Sequence, residues 1–190
     1  PPSGMLAGLQ ARTTRIGQPW FSTAGLNRGL IRALDVRETY DDGEATLLYN
    51  ANLAYMRKFV GKGIAFWEQN TLYNKNSALQ FLNVRVLCNI IKRATYDYLL
   101  YGLQEQNDDI LRRQLQFGLE DYLRVVQAGR GISSFRVVID ASNNPAALVN
   151  TGVLAIAIII VPILAVREIQ LTLAVSKEGL KITEAEIASW

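Results

Sequence analysis

Two long stretches of this chain repeat their apolar residues at helical spacing. In the first, Leu82, Val86, Leu87, Ile90, Ile91, Ala94, Tyr98 and Leu99 fall on one face. Ser77 with Gln80 has the capping-box form, which predicts a helix starting near Ser77, and Gly102 is a plausible stop. In the second, Leu111, Leu115, Gly118, Leu119, Tyr122, Leu123 and Val126 form the apolar face. Asn107 or Asp108 can cap this helix, Asp109 adds negative charge at the positive end of its dipole, and Gly129 ends it. Its other face carries Arg112, Arg113, Gln116, Glu120, Asp121 and Arg124, a pattern that ordinary solvation accounts for.

Elsewhere the period shortens to two. Residues 168–175 alternate cleanly, with Ile169, Leu171, Leu173 and Val175 on one face and Glu168, Gln170, Thr172 and Ala174 on the other, which predicts a strand with one wet side. Residues 135–140 form another strand candidate, followed by a turn at Ser142-Asn143-Asn144-Pro145. Earlier, residues 53–60 and 64–67 predict a hairpin around Gly61-Lys62-Gly63. Residues 31–36 are a weak strand candidate, and Asp41-Asp42-Gly43 marks a turn or helix start before a short helix over 44–48. Residues 1–31 are rich in Gly, Ser, Thr and Pro and predict mostly loop, with at most a turn of helix over 5–12. Residues 176–190 form a short tail with Gly179 as a hinge candidate. The class is α+β.

The apolar run 153–166 invites a membrane reading, with the wider segment 145–166 as the anchor of a membrane-associated protein. A spanning helix needs about 20 apolar residues. This run is shorter, is interrupted by Pro162 and is rich in β-branched residues. Its sizes alternate, with Leu154, Ile156, Ile158 and Ile160 facing one way and Val153, Ala155, Ala157, Ile159 and Val161 the other. The pattern predicts a central strand covered on both faces and no membrane insertion.

Composition narrows the function. Hydrophobic residues make up 49% and charged residues 19% of the 190, enough apolar content for a real core. The net charge of +3 is small and no basic run interleaves with aromatics, so nucleic acid is not an expected partner. One cysteine, Cys88, excludes an internal disulfide framework and reads as a small buried apolar residue. The absence of histidine removes Ser-His-Asp and Cys-His arrangements and the zinc sets that need imidazole. The acid pairs Asp41-Asp42, Asp108-Asp109 and Glu120-Asp121 are sequence neighbours, and neighbours on a helix point apart. Gly61-Lys62-Gly63 and Gly129-Arg130-Gly131 lack the length and the Lys-Ser/Thr of a phosphate loop. No catalytic residue, metal site or cofactor is expected. The chain begins Pro1-Pro2-Ser3-Gly4 without methionine and without a signal peptide, so a piece of a longer protein is expected.

The order of these elements resembles the C-terminal region of tail sheath proteins of contractile phages, R-type bacteriocins and related injection machines. The resemblance rests on Pro1-Pro2-Ser3-Gly4 with Ala7-Gly8 and Ala11-Arg12, and on Gly61-Lys62-Gly63-Ile64 with Phe66-Trp67 and Thr71-Leu72. It continues through Asn83-Val84-Arg85, Asn107-Asp108, Phe135-Arg136-Val137 with Asp140, Asn143-Asn144-Pro145, and residues 152–162 followed by 169–173. Residues 163–166 depart from it, being more apolar than the family's connecting loop.

The resemblance implies a core domain over 1–175, built as a mixed β-sheet flanked by two long helices, and an extended C-terminal arm over 176–190. Leu180, Ile182 and Ala185 would be the arm's interface residues, and Arg112, Arg113 and Arg124 would face an acidic inner tube. The implied partners are other sheath subunits in helical rings, the inner tail tube protein and the baseplate. Contraction would proceed by rigid-body rearrangement and drive the tube through the target cell envelope. The location would be the virion tail, assembled in the bacterial host cytoplasm.

Overall fold

A computed structural model describes residues 2–75, 77–167 and 169. Its centre is the second periodic helix, α4 (Asp109–Ala128). Leu115, Leu119, Leu123 and Val126 on one side of α4 are buried together with Leu87 and Ile91 of α3 (Leu82–Leu99) and with Ile132 and Val137 of β4 (Ile132–Val138). The two helices approach closely at Gly118, where a side chain would overlap the Tyr98 ring, and the Tyr98 hydroxyl donates to Gln114 O at 3.3 Å. Trp20 closes one end of this core, its indole N–H donating to Gly129 O at 2.9 Å.

The predicted caps hold at α4. The Asp108 carboxylate accepts from the Leu111 N–H at 2.8 Å, and Gly129 follows the last turn. At α3 the start moves. Ser77 caps only a 3-10 turn over Ala78–Gln80, and the helix begins after the extended residue Phe81. Another part of the chain causes this break: Thr71 N–H donates to Gln80 O at 2.7 Å and Leu82 N–H to Gln69 O at 3.0 Å. That short antiparallel crossing holds Phe81 extended, so the helix must restart.

Two short elements are better defined than their sequences suggest. α2 (Asp42–Asn50) opens with a full capping box, in which Asp41 accepts from Glu44 N–H at 2.7 Å and Glu44 accepts from Asp41 N–H at 3.1 Å. The N-terminal region, expected to be mostly loop, contains the 14-residue helix α1 (Ser3–Ile16). Its glycines lie where nothing packs closely, while Leu9 and Thr13, four residues apart, are buried. Docking of that narrow stripe outweighs the weak propensity of the segment.

Among the described residues the strands form two antiparallel sheets, where a mixed sheet was expected. In the first, β3 (Gly63–Phe66) lies between β1 (Leu30–Ile31) and β2 (Met56–Phe59). Here Lys58 pairs with Ile64 and Leu30 with Ala65. The predicted hairpin is present, turning through Gly61 and Gly63 at φ +72° and +95°, where a Cβ would be strained.

In the second sheet, β4 pairs with β5 (Ala157–Pro162), Val137 opposite Ile158 and Phe135 opposite Ile160, with an irregularity near Ser133. The strand starts later than its alternation suggests because a side chain occupies the preceding position. Ala155 N–H donates to Asn144 Oδ1 at 2.7 Å and Asn144 Nδ2 donates to Ala155 O at 2.9 Å, so the carboxamide takes the place of a peptide.

Among the described residues the strand is covered on one face and not on both. Ile158 and Ile160 pack on the core, whereas Ile159 and Val161 are 56% and 50% exposed. The segment 145–166 forms no spanning helix. Its only helix, α5 (Ala146–Val149), has four residues, and no described helix is long and apolar enough to cross a bilayer. The expected strand over 168–175 and the tail over 176–190 lie outside the described residues, apart from the exposed Ile169.

Candidate assembly interface

The inner side of β5 overhangs α3, and the space between them is unfilled. Ile156, Ile158 and Ile160 form one wall of an open groove of about 750 Å³, and Cys88, Ile91, Thr95 and Leu99 form the other. Lys92, Arg93 and Asn89 rim it on the polar side. The periodicity of α3 explains the apolar floor, since Cys88, Ile91, Thr95 and Leu99 recur at three- and four-residue steps. Thr95 hides its hydroxyl by donating to Ile91 O at 2.8 Å, so it presents a methyl group to the groove. Burial pushes the Cys88 thiol above its ordinary pKa, with Arg85 opposing weakly. Cys88 therefore acts here as an apolar surface and not as a nucleophile.

Above this floor the edge of β5 away from β4 pairs with no described residue, a row of donors and acceptors at strand spacing. The outward faces of Ile159 and Val161 add exposed apolar area beside it. Edge, floor and outward face together have the shape of a receptor for an extended chain.

The three arginines singled out from the sequence do not share one environment. Arg112 turns back toward the helix start, its guanidinium bonding Asn107 Oδ1 at 3.2 Å, Asn107 O at 3.3 Å and Asp109 Oδ1 at 3.2 Å, with its side chain only 14% exposed. Arg124 is exposed and pairs with Asp121 at 2.8 Å and Glu120 at 3.4 Å. Arg113 is exposed and makes no ion pair among the described residues. Arg113 and Arg124 lie about three turns apart and within roughly 20° of each other around the helix. Phe117, also exposed, sits between them. Leu180, Ile182 and Ala185 lie outside the described residues.

The alternation of 153–161 locates the strand of the groove but not the edge that pairs with no described residue. Exposed apolar residues on the second face of β5 were read as buried, and the alternation of small and large residues is the same in either case. Among the described residues no group of His, Cys, Asp or Glu gathers in a way that could hold a metal ion.

No family model matches the chain. Three curated relatives do. The chain is 34% identical over 167 residues to the tail sheath protein of Vibrio phage KVP40, covering 85% of this chain and 24% of that protein. It is 28% identical over 184 residues to the tail sheath protein of Enterobacteria phage T4, covering 94% and 27%. For the tail sheath protein of Salmonella phage ViI the identity is 24%, over 98% and 30%. The chain thus spans about a quarter of the length of the first two relatives.

Solved structures share the fold. The sheath complex of the extracellular contractile injection system PVC in its contracted state superposes with a TM-score of 0.84 at 19% identity, covering 95% of this chain and 52% of that one. The contracted helical sheath of the anti-feeding prophage gives 0.80 at 17%, covering 92% and 50%. Sheath relatives along nearly the whole sequence and the same arrangement of helices and hairpin lead to one assignment: this chain belongs to the contractile tail sheath family.

Proposed function

We propose that this chain is the assembly core of a contractile sheath subunit, corresponding to the family's C-terminal region, and that it polymerises by accepting an extended strand from a neighbour along β5. The observation that carries the reading is the β5 edge above the apolar α3 groove, which pairs with no described residue. An added strand would satisfy its edge groups by main-chain hydrogen bonds and insert every second side chain toward Ile91 and Leu99. The donor is the arm over 176–190 of another subunit, with Leu180, Ile182 and Ala185 as its interface residues; Leu180 and Ile182 share the inward face of a strand, and Ala185 falls on the other face. Its Glu184 and Glu186 suit the Lys92 and Arg93 rim.

Main-chain links of this kind join rigid cores flexibly, so rings can rotate and shift while staying connected. The contraction is mechanical and uses no nucleotide, cofactor or catalytic residue. Arg113 and Arg124, with Phe117 between them, form the face offered to an inner tube protein. Arg112, whose guanidinium is engaged by Asn107 and Asp109, supports the start of that helix. Other sheath subunits and the baseplate are the remaining partners. The assembled protein belongs to the tail of a virion put together in the bacterial cytoplasm.

The test is electron microscopy of the purified full-length protein. Tubes with a ring repeat are expected, and Ile159→Asp, on the exposed outward face beside the β5 edge, is expected to abolish them while leaving a folded subunit. Monomers alone at every salt concentration, or tubes unaffected by that substitution, overturn the reading.

A further inference from the structure

We propose that Arg167 is a positioning residue that fixes the path of the chain from β5 toward the C-terminal arm, so that tension from that side enters both sheets; this rests on the arm-exchange reading above. The Arg167 guanidinium lies between two aromatic rings, with Cζ 4.4 Å from the Tyr49 centroid and 4.7 Å from that of Phe81. In the same position its Nη2 donates to Glu68 Oε2 at 2.6 Å and approaches Asn70 Oδ1 at 3.4 Å. The arginine side chain is 23% exposed and that of Glu68 14%, so the pair is partly withdrawn from water. Charge and stacking are therefore worth more here than at an exposed ion pair.

The partners come from separate pieces of the fold. Tyr49 belongs to α2, Glu68 and Asn70 follow β3, and Phe81 is the extended residue ahead of α3. One side chain, only a few residues beyond β5, thus joins the three-stranded sheet, the α3 junction and the outgoing chain. Upstream, Ile163 N–H donates to Gly131 O at 3.0 Å and pins the chain to the β4–β5 side. Between these two pins the backbone crosses from one sheet to the other. Without the second pin, the described chain beyond β5 would be held to the core at Ile163, and the four residues beyond it would add about 13 Å of slack at ~3.3 Å each. A softer, longer link lowers the effective concentration of the arm at its acceptor. The arrangement also selects arginine, because a lysine ammonium cannot lie flat between two rings while pairing with a carboxylate.

The experiment uses the full-length protein and the variants Arg167→Ala, Arg167→Lys and Glu68→Gln, with Leu123→Val as a core control. Thermolysin cleavage of the soluble subunit, mapped by mass spectrometry, reads the anchor itself. We expect cleavage within 163–169 at least tenfold faster in Arg167→Ala, intermediate in Arg167→Lys, and unchanged in Leu123→Val. Assembled tubes read the mechanical role. Arg167→Ala tubes are expected to shear into pieces under flow that wild-type and Leu123→Val tubes survive.

Unchanged cleavage in Arg167→Ala overturns the anchor. Faster cleavage with tubes as strong as wild type overturns its mechanical role. If wild-type protein forms no tubes, the arm-exchange reading is what fails, and the cleavage rates still decide the anchor.

Discussion

The two sheets differ in how finished they are. β3 has a partner on each edge and its central residues are shielded, with Ala65 fully buried. β5 has one partner among the described residues, a half-filled groove beneath it and two large β-branched residues in solvent. Natural proteins seldom leave a flat apolar edge open, because it templates pairing with another chain. The three-stranded sheet, with its central strand paired on both sides, therefore stabilises the fold within one subunit. Among the described residues the second sheet does so only in part, and in the proposed assembly its remaining capacity goes to a neighbour.

Substitutions distinguish the two sheets. The largest effect is expected at Gly29, whose carbonyl accepts from Phe66 N–H at 2.9 Å. A Cβ there would meet Phe66 O at 2.6 Å, Gly25 O at 2.7 Å and Thr23 O at 2.9 Å, all backbone atoms that cannot swing away. Gly29→Ala should destabilise the subunit by about 3 kcal/mol in urea unfolding. A loss under about 1 kcal/mol would mean that the three-stranded sheet tolerates backbone displacement and is no more rigid than the second one.

Next comes Asn144→Ala at the base of the second sheet, which leaves the Ala155 N–H without its partner and the Ala155 C=O with only Asn143 Nδ2, at 3.0 Å. About 2 kcal/mol should be lost, with the backbone resonances of 155–157 shifting more than those of β3. Ile159→Thr should change stability by no more than about 0.5 kcal/mol, because its side chain already meets water. The same change should weaken tube formation by the full-length protein, and a large stability loss in the isolated subunit would show that β5 is buried after all.

The smallest effect concerns Asp140, at the turn after β4. Hydrogen bonds from the Ser142 side chain and backbone hold its carboxyl below the usual value of 3.8. A depressed folded-state value stabilises the fold above the ordinary carboxylate range, and that contribution disappears as pH falls through the folded pKa, below 3.8. Asp140→Asn should therefore lower the urea midpoint slightly at pH 7 and match wild type at pH 2. A difference that persists in acid would assign the effect to shape and not to charge.

Features that depend on a few consecutive residues were legible in the sequence. The Asp108 cap, the Gly129 stop, the hairpin at Gly61-Lys62-Gly63 and the apolar stripe of α4 are all local. Features decided by a distant segment were not. Ser77 has the chemistry of a helix cap, yet Gln69 and Thr71 capture the backbone beside Gln80 and Leu82 and delay the helix. α1 carries too few buried residues to stand out in a glycine-rich stretch. Arg112 looks like its neighbour Arg113, and only the geometry around Asn107 separates them. At β5 the alternation is the same whether the second face meets its own chain, a partner or water, so the strand was legible and the expectation of cover on both faces was not warranted by it.

The Asn144 clasp also changes how the connection between β4 and β5 behaves as a polymer. The carboxamide and Ala155 close the connection at its base, so residues 145–154 form a ring that is already tied. Lengthening a tied ring costs only its added closure entropy, about 0.6 kcal/mol for each doubling. A peptide grafted after the exposed Asn150 would therefore leave strand register intact, while one placed between Val138 and Asn143 would pull the clasp apart. The hairpin would then serve as a display site, carrying foreign sequence at a repeat set by the assembly.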